Sequence, residues 1–305
     1  MSMSSRAGSA RQPSAMSEIK VDILPLPKMN VGEGIIWCDR KQCLWWVDIG
    51  RDQVWRYAPE TGEAQSWPMP DKPGCLALTE GDDILVALTG GLHRFDPKTG
   101  TLAFVAPFKS FPEGHRPNDG AVSRAGRFYI GSTALGNRSA PNARLCVFDG
   151  HDIDDLMGGL HVSNGLAFSP DDRTAYLSDS WPDVQTIWAF DHDPMTGELS
   201  QRRVYFDAEI TAGRPDGACV DRQGGYWMAG VGGGEMLRLD PSGAIALRIP
   251  VPTSRPSKPC FGGANLSTLF VTSIGTGEDA AANDGRIMSI KLPFQGLAEP
   301  RIRLL

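Results

Sequence analysis

The chain has 305 residues, 41% of them hydrophobic and 22% charged, and a net charge of −6. That is ordinary globular composition with enough length to bury a sizeable core. The acidic balance argues against a nucleic acid or an anionic membrane as partner, and no apolar run approaches the roughly 18 residues of a membrane helix.

The first stretch, MSMSSRAGSARQPSAM, is polar and Ser/Ala-rich, with Arg6 and Arg11 but no apolar segment behind them. Residues 1–20 are expected to form a disordered tail and 21–305 a single domain, with Met1 or Met16 as the start. Cys38, Cys43, Cys75, Cys146, Cys219 and Cys260 form no CxxC pair, and most lie in strand-like apolar runs. They are expected to be buried reduced thiols, which favours the cytoplasm.

Six β-rich runs then follow in chain order. They are CLWWVDI from Cys43, DILVALT from Asp83, RFYIGST from Arg127, TAYLSDS from Thr174, GYWMAGV from Gly225 and TLFVTSI from Thr268. Their first residues are 40, 44, 47, 51 and 43 apart. After most of them comes a second strand-like piece ending in Asp-Pro or Pro-x-x-Gly turn chemistry, as in GLHRFDPKTG and MLRLDPSG. No segment keeps a helical period with caps, so almost no helix is expected. A whole motif repeating at this spacing predicts an all-β, six-bladed β-propeller with four-stranded antiparallel blades, and a sandwich is the alternative.

A finer repeat precedes these runs: Glu33-Gly34, Asp119-Gly120, Asn164-Gly165 and Asp216-Gly217, each opening an apolar stretch. Blade two has Pro73-Gly74 there instead. If each stretch is the innermost strand of its blade, the four polar side chains enter the central channel at one height. Hard oxygen donors of this kind suit Ca²⁺, Mg²⁺ or Mn²⁺, and the position carries no His or Cys that would suggest a zinc-finger-like site. No competing cation is evident among them.

The pieces GEGIIW, RPNDGAVSRAGRFYIGS, SNGLAFSPDDRTAYLSDS, RPDGACVDRQGGYWMAG and PCFGGANLSTLFVTS together resemble the regucalcin/gluconolactonase family of six-bladed propeller lactonases. They stand in family order from about Val21 to the end. The resemblance implies one divalent ion on Glu33, Asn164 and Asp216, Ca²⁺ before Zn²⁺, Mg²⁺, Mn²⁺ or Fe²⁺. It also implies that Arg116 and Asn118 bind substrate or a metal-bound water, and it leaves Asp119 a supporting role. The implied reaction is hydrolysis of a sugar-acid (aldono-) lactone in carbohydrate catabolism, with Asp216 as ligand and proton acceptor. The alternatives are a non-catalytic calcium-binding propeller and a phosphotriesterase-like hydrolase. The implied partner is a small-molecule lactone, and the chain is expected to be a monomer or weak homo-oligomer. One departure stands out. Family members carry an acidic pair just after the G-T/S motif, and one of its glutamates contacts sugar hydroxyls. Here that stretch reads Gly131-Ser132-Thr133-Ala134-Leu135-Gly136-Asn137-Arg138, without a carboxylate. His115 and Trp181 are read as loop or packing residues, and Gly275–Asp284 as a surface loop.

Overall fold

The computed structural model describes residues 19–304 except Glu278. A short strand, β1 (Val21–Ile23), precedes blade one, which is β2 (Gly32–Cys38), β3 (Cys43–Asp48), β4 (Gln53–Ala58) and β5 (Glu63–Pro68). Blade two is β6 (Pro73–Thr79), β7 (Ile84–Leu88), β8 (Gly91–Asp96) and β9 (Thr101–Ala106). Blade three is β10 (His115–Val122), β11 (Phe128–Ala134), β12 (Ala143–Phe148) and β13 (Ile153–Leu160). Blade four is β14 (Ser163–Phe168), β15 (Thr174–Asp179), β16 (Thr186–His192) and β17 (Leu199–Asp207). Blade five is β18 (Arg214–Val220), β19 (Tyr226–Val231), β20 (Glu235–Leu239) and β21 (Ile245–Pro250). Blade six contributes β22 (Pro256–Gly262), β23 (Thr268–Ser273) and β24 (Met288–Lys291), and β1 returns as its outer strand against β24. The chain ends in β25 (Arg301–Ile302), which pairs with Leu78 and Thr79 of β6 in parallel.

The fold is therefore the six-bladed antiparallel propeller that the repeat predicts, with two short 3₁₀ turns, Ile49–Arg51 and Ala208–Ile210, as its helical pieces among the described residues. The six apolar runs are the second strands of the six blades. They read as continuous apolar stretches because both faces of a blade are covered by its neighbours. In β3, Cys43, Trp45 and Val47 pack toward blade two, while Leu44 and Trp46 pack toward blade six. The core is accordingly divided into six clusters, one between each adjacent pair of blades. Trp46 and Trp227 are wholly buried in two of them. Burying a side chain of that size stabilises by about 1.5–3 kcal/mol or more on area grounds, so the blade interfaces hold the ring together.

All six inner strands carry an irregularity at the same level. Register shifts fall between Glu33 and Ile36, Pro73 and Cys75, Pro117 and Gly120, Asn164 and Ala167, Pro215 and Ala218, and Pro256 and Pro259. Bulges re-aim side chains and sharpen twist, as a strand running beside a narrow axis requires. In blades one and four the loop entering the inner strand is held by an acidic residue that ends the second strand. Asp48 accepts from the backbone N–H of Asn30, Val31 and Gly50, and Asp179 from those of His161, Val162 and Trp181.

Candidate metal centre and channel mouth

The bulges deliver the polar side chains to the channel, but not from one position. Glu33 and Asn164 are the last paired residues before their bulges, opposite Val47 and Ser178. Asp216 is the first residue inside its bulge, and Asp119 the second inside its own. The x-Gly pairs thus meet the ladder in three ways, at bulges that face the same level of the second strands: Val47, Gly131, Ser178 and Ala229. The glycines differ to match. Gly34 and Gly165 adopt φ of 59° and 63°, the left-handed region that glycine enters without a Cβ penalty, while Gly120 and Gly217 do not.

Asn164 is fixed on both sides. Its Nδ2 donates to Ser180 Oγ at 2.6 Å, and Ser180 in turn donates to the Pro215 carbonyl. Its Oδ1 accepts from Asn118 Nδ2 at 2.8 Å, and the same Asn118 nitrogen donates to Ser163 O at 3.0 Å. Both amide donors of Asn118 are therefore engaged, which leaves its Oδ1 as an acceptor.

The carboxylates separate into two kinds. Asp119 is buried and satisfied, with one oxygen on Lys258 Nζ and the other accepting from Leu166 N at 2.9 Å. Lys258 Nζ also donates to Gly120 O at 2.9 Å. This lysine answers the expectation that no cation competes in the channel: there is one, and it belongs to Asp119. Sequence reading missed Lys258, although a lysine inside the inner-strand stretch PSKPCF is a signal in itself. It is the second bulge residue of blade six, the place Asp119 takes in blade three. Asp119 thus has the supporting part expected of it.

Glu33 and Asp216 are the second kind. Both are buried, and neither makes an ion pair among the described residues. Burial, then the Asp119 charge, pushes the Glu33 carboxyl up to about 7, and its one hydrogen bond is from Gly34 N at 3.1 Å. Burial, then the Glu33 charge, pushes Asp216 well above the usual carboxylate range. Among the described residues no three His, Cys, Asp or Glu side chains gather. The expected ligand set contains two carboxylates and one amide, so it would not form such a group. Two mutually repelling buried carboxylates beside an oriented amide oxygen suit a divalent cation on oxygen ligands. The donor set therefore fits the ion that the resemblance implies.

Arg116 lies beside this group, buried, with its guanidinium donating to Pro117 O at 2.7 Å. Burial, then the charge of Arg138, pushes it down to about 10. His115 Nε2 lies 3.0 Å from Asn142 Oδ1. Trp181 stacks on His161 with ring centroids 5.1 Å apart and planes 10° from parallel.

The family model described as SMP-30/Gluconolactonase/LRE-like region matches residues 31–275. The chain belongs to this family. It is 34% identical to 6-deoxy-6-sulfogluconolactonase of Pseudomonas putida over 278 residues, 88% of this chain and 94% of that one. It is 35% identical to L-arabinolactonase of Azospirillum brasilense over 284 residues, 89% and 92% of the two chains. A calcium-binding regucalcin from Agrobacterium tumefaciens superposes with a TM-score of 0.89 at 26% identity, covering 94% of this chain and 98% of its own. Membership in this family agrees with the propeller and with the order of the motifs around the channel.

Proposed function

We propose that this protein is a lactone hydrolase that opens a sugar-acid lactone to the free acid, using one divalent ion held by Glu33, Asn164 and Asp216. The observation that carries this reading is the pair of buried, ion-unpaired carboxylates beside an oriented amide, with a buried arginine next to them. The names of the lactonase relatives support the reaction class. A bound ion would supply Lewis-acid polarisation of the lactone carbonyl and a lowered pKa for an attacking water. Asp216 would accept the proton of that water, the charge of a neighbouring divalent ion keeping its carboxylate ionised for the task. Arg116 donates to the oxyanion that develops on the former carbonyl oxygen. Asn118 presents its free Oδ1 to a substrate hydroxyl while its amide nitrogen keeps Asn164 in line. The inert reading, an ion that only stiffens the ring, gives no reason to bury Arg116 there. Carbohydrate catabolism in the cytoplasm is the setting we propose, in keeping with six cysteines that are all free.

The test is a pH-drop assay over a panel of aldonolactones, with protein stripped by chelator and reloaded with single divalent metals. Turnover that appears with metal and vanishes without it is the expected result. Activity indifferent to metal, or none on any lactone, rejects the proposal.

A further inference from the structure

Three arginines gather at the channel mouth. Arg116 stands near the start of β10, paired with Thr133, and Arg214 opens β18, paired with Val231. Arg138 comes from the connection between β11 and β12, and its Nε donates to Ala134 O at 3.3 Å. Ala134 is the residue opposite His115, so this bond sets the Arg138 guanidinium over the end of the strand pair that carries Arg116. The loop is held from its other side by His161, whose Nδ1 lies 2.8 Å from the Arg138 carbonyl oxygen and whose ring is braced by Trp181. The three charges feel one another. After burial, Arg138 is the next influence holding Arg116 below the usual arginine range. Arg214 acts on Arg138 in the same sense, and Asp216 attracts both Arg116 and Arg138.

The charge balance of the channel decides what this cluster is for. Lys258 and Asp119 neutralise each other. A divalent ion would match the two negative charges of Glu33 and Asp216. The three arginines are then left without compensation, and among the described residues none of them pairs with a carboxylate. Arg116 is 7% exposed, and the structure gives its guanidinium one acceptor, the carbonyl of the next residue. A guanidinium offers five donors. Arg116 is buried, Arg138 half-buried and Arg214 exposed, so the repulsion falls chiefly on the first two and an incoming anion relieves it, whereas a neutral polyol would be recognised as well by neutral donors and acceptors. Arg138 also stands in a stretch, Gly131–Arg138, that carries no carboxylate of its own.

We propose that the mouth selects aldonolactones bearing a second, anionic group, a carboxylate, phosphate or sulfonate, on the end of the sugar away from the lactone carbonyl. Arg138 and Arg214 grip that group by charge-assisted hydrogen bonds, and Arg116 stays with the reacting oxygen. This rests on the lactonase reading above.

The experiment compares kcat/KM for glucono-δ-lactone with its counterparts carrying a 6-phosphate, a 6-sulfonate or a 6-carboxylate. It uses wild type, Arg138→Gln and the Arg138→Gln/Arg214→Gln double variant, each checked by circular dichroism. The readout is the anionic-to-neutral ratio. It should be at least about tenfold in wild type, fall about tenfold in Arg138→Gln, fall further in the double variant, and shrink with salt. The best of the three anions identifies the source of the charge. Neutral lactones turned over as well as anionic ones, or a ratio unmoved by Arg138→Gln, overturns the proposal and leaves lactonase activity standing. If no lactone is hydrolysed, the lactonase reading falls. Calorimetric titration with inorganic phosphate and the anionic aldonic acids then decides: binding lost in Arg138→Gln upholds the anion site, and no binding in wild type rejects it.

Discussion

Asp216 has two duties on the proposed mechanism, ligand and proton acceptor, and a single substitution addresses both. Asp216→Asn keeps the size and one oxygen donor but removes the charge and most of the basicity. It is expected to bind metal more weakly and to lose at least about 100-fold in turnover at saturating metal, the scale for removing a general base. Near wild-type turnover once saturated would exclude Asp216 as the base. Glu33 supports a prediction about pH. Its carboxyl is raised from the ordinary 4.5 to about 7, so the metal-free fold favours the protonated form. That contribution to stability is complete below about 4.5 and declines as pH rises toward 7. A cation must displace this proton, so metal affinity should climb between pH 5 and about 7.5, with proton release on binding at pH 6. Calorimetry in two buffers of different ionisation enthalpy measures that release directly; pH-independent affinity would remove Glu33 from the ligand set. Asn118→Ala separates substrate from metal. It should lower turnover more than metal affinity, because the Asn164 amide keeps its Ser180 anchor.

At the level of single strands, the bulge is the device that makes the site. Gly165 follows Asn164, adopts φ 63°, and has the Tyr226 hydroxyl and Ser178 where a Cβ would project. Gly165→Ala combines a left-handed alanine with two clashes. It should destabilise by roughly 1–3 kcal/mol and weaken metal binding together, as the carbonyl bond from Tyr226 to Gly165 is disturbed. Urea unfolding and metal titration on the same variant check this, and stability lost with affinity intact would show that Asn164 is not held by its bulge. This element also shows why the site was only partly legible in the sequence. Glu33, Asn164 and Asp216 are visible because each stands next to a glycine. The bulges that seat them are invisible, since a bulge is a property of the strand pair and not of one strand. Lys258 escaped because it carries no glycine and its partner Asp119 lies 139 residues away.

Across the whole molecule, the repeat was legible because each second strand is covered on both faces and so reads as an unbroken apolar run. The ring closure was not. β1 is three residues long and β25 two, too short to show any period, and each finds its partner more than 200 residues away in the chain. β25 is the better test of closure. The metal ligands lie near the starts of the inner strands, whereas β25 pairs with Leu78 and Thr79 at the end of β6, at the opposite mouth. Ile302 is fully buried between blades two and three, and Arg301 ties blade one to blade two through Asp39 and the Thr79 carbonyl. Ile302→Ala removes a fully buried side chain from the cluster between blades two and three, and the expected loss is about 2–5 kcal/mol. Since the cavity opens at the far end of the channel, metal affinity and kcat at 25 °C should stay within about twofold of wild type while the unfolding midpoint drops. Denaturant unfolding and metal titration distinguish the two ends of the channel. A variant that loses metal affinity in step with stability would mean that the ring yields as one body, and that β25 supports the ligands as well as the closure.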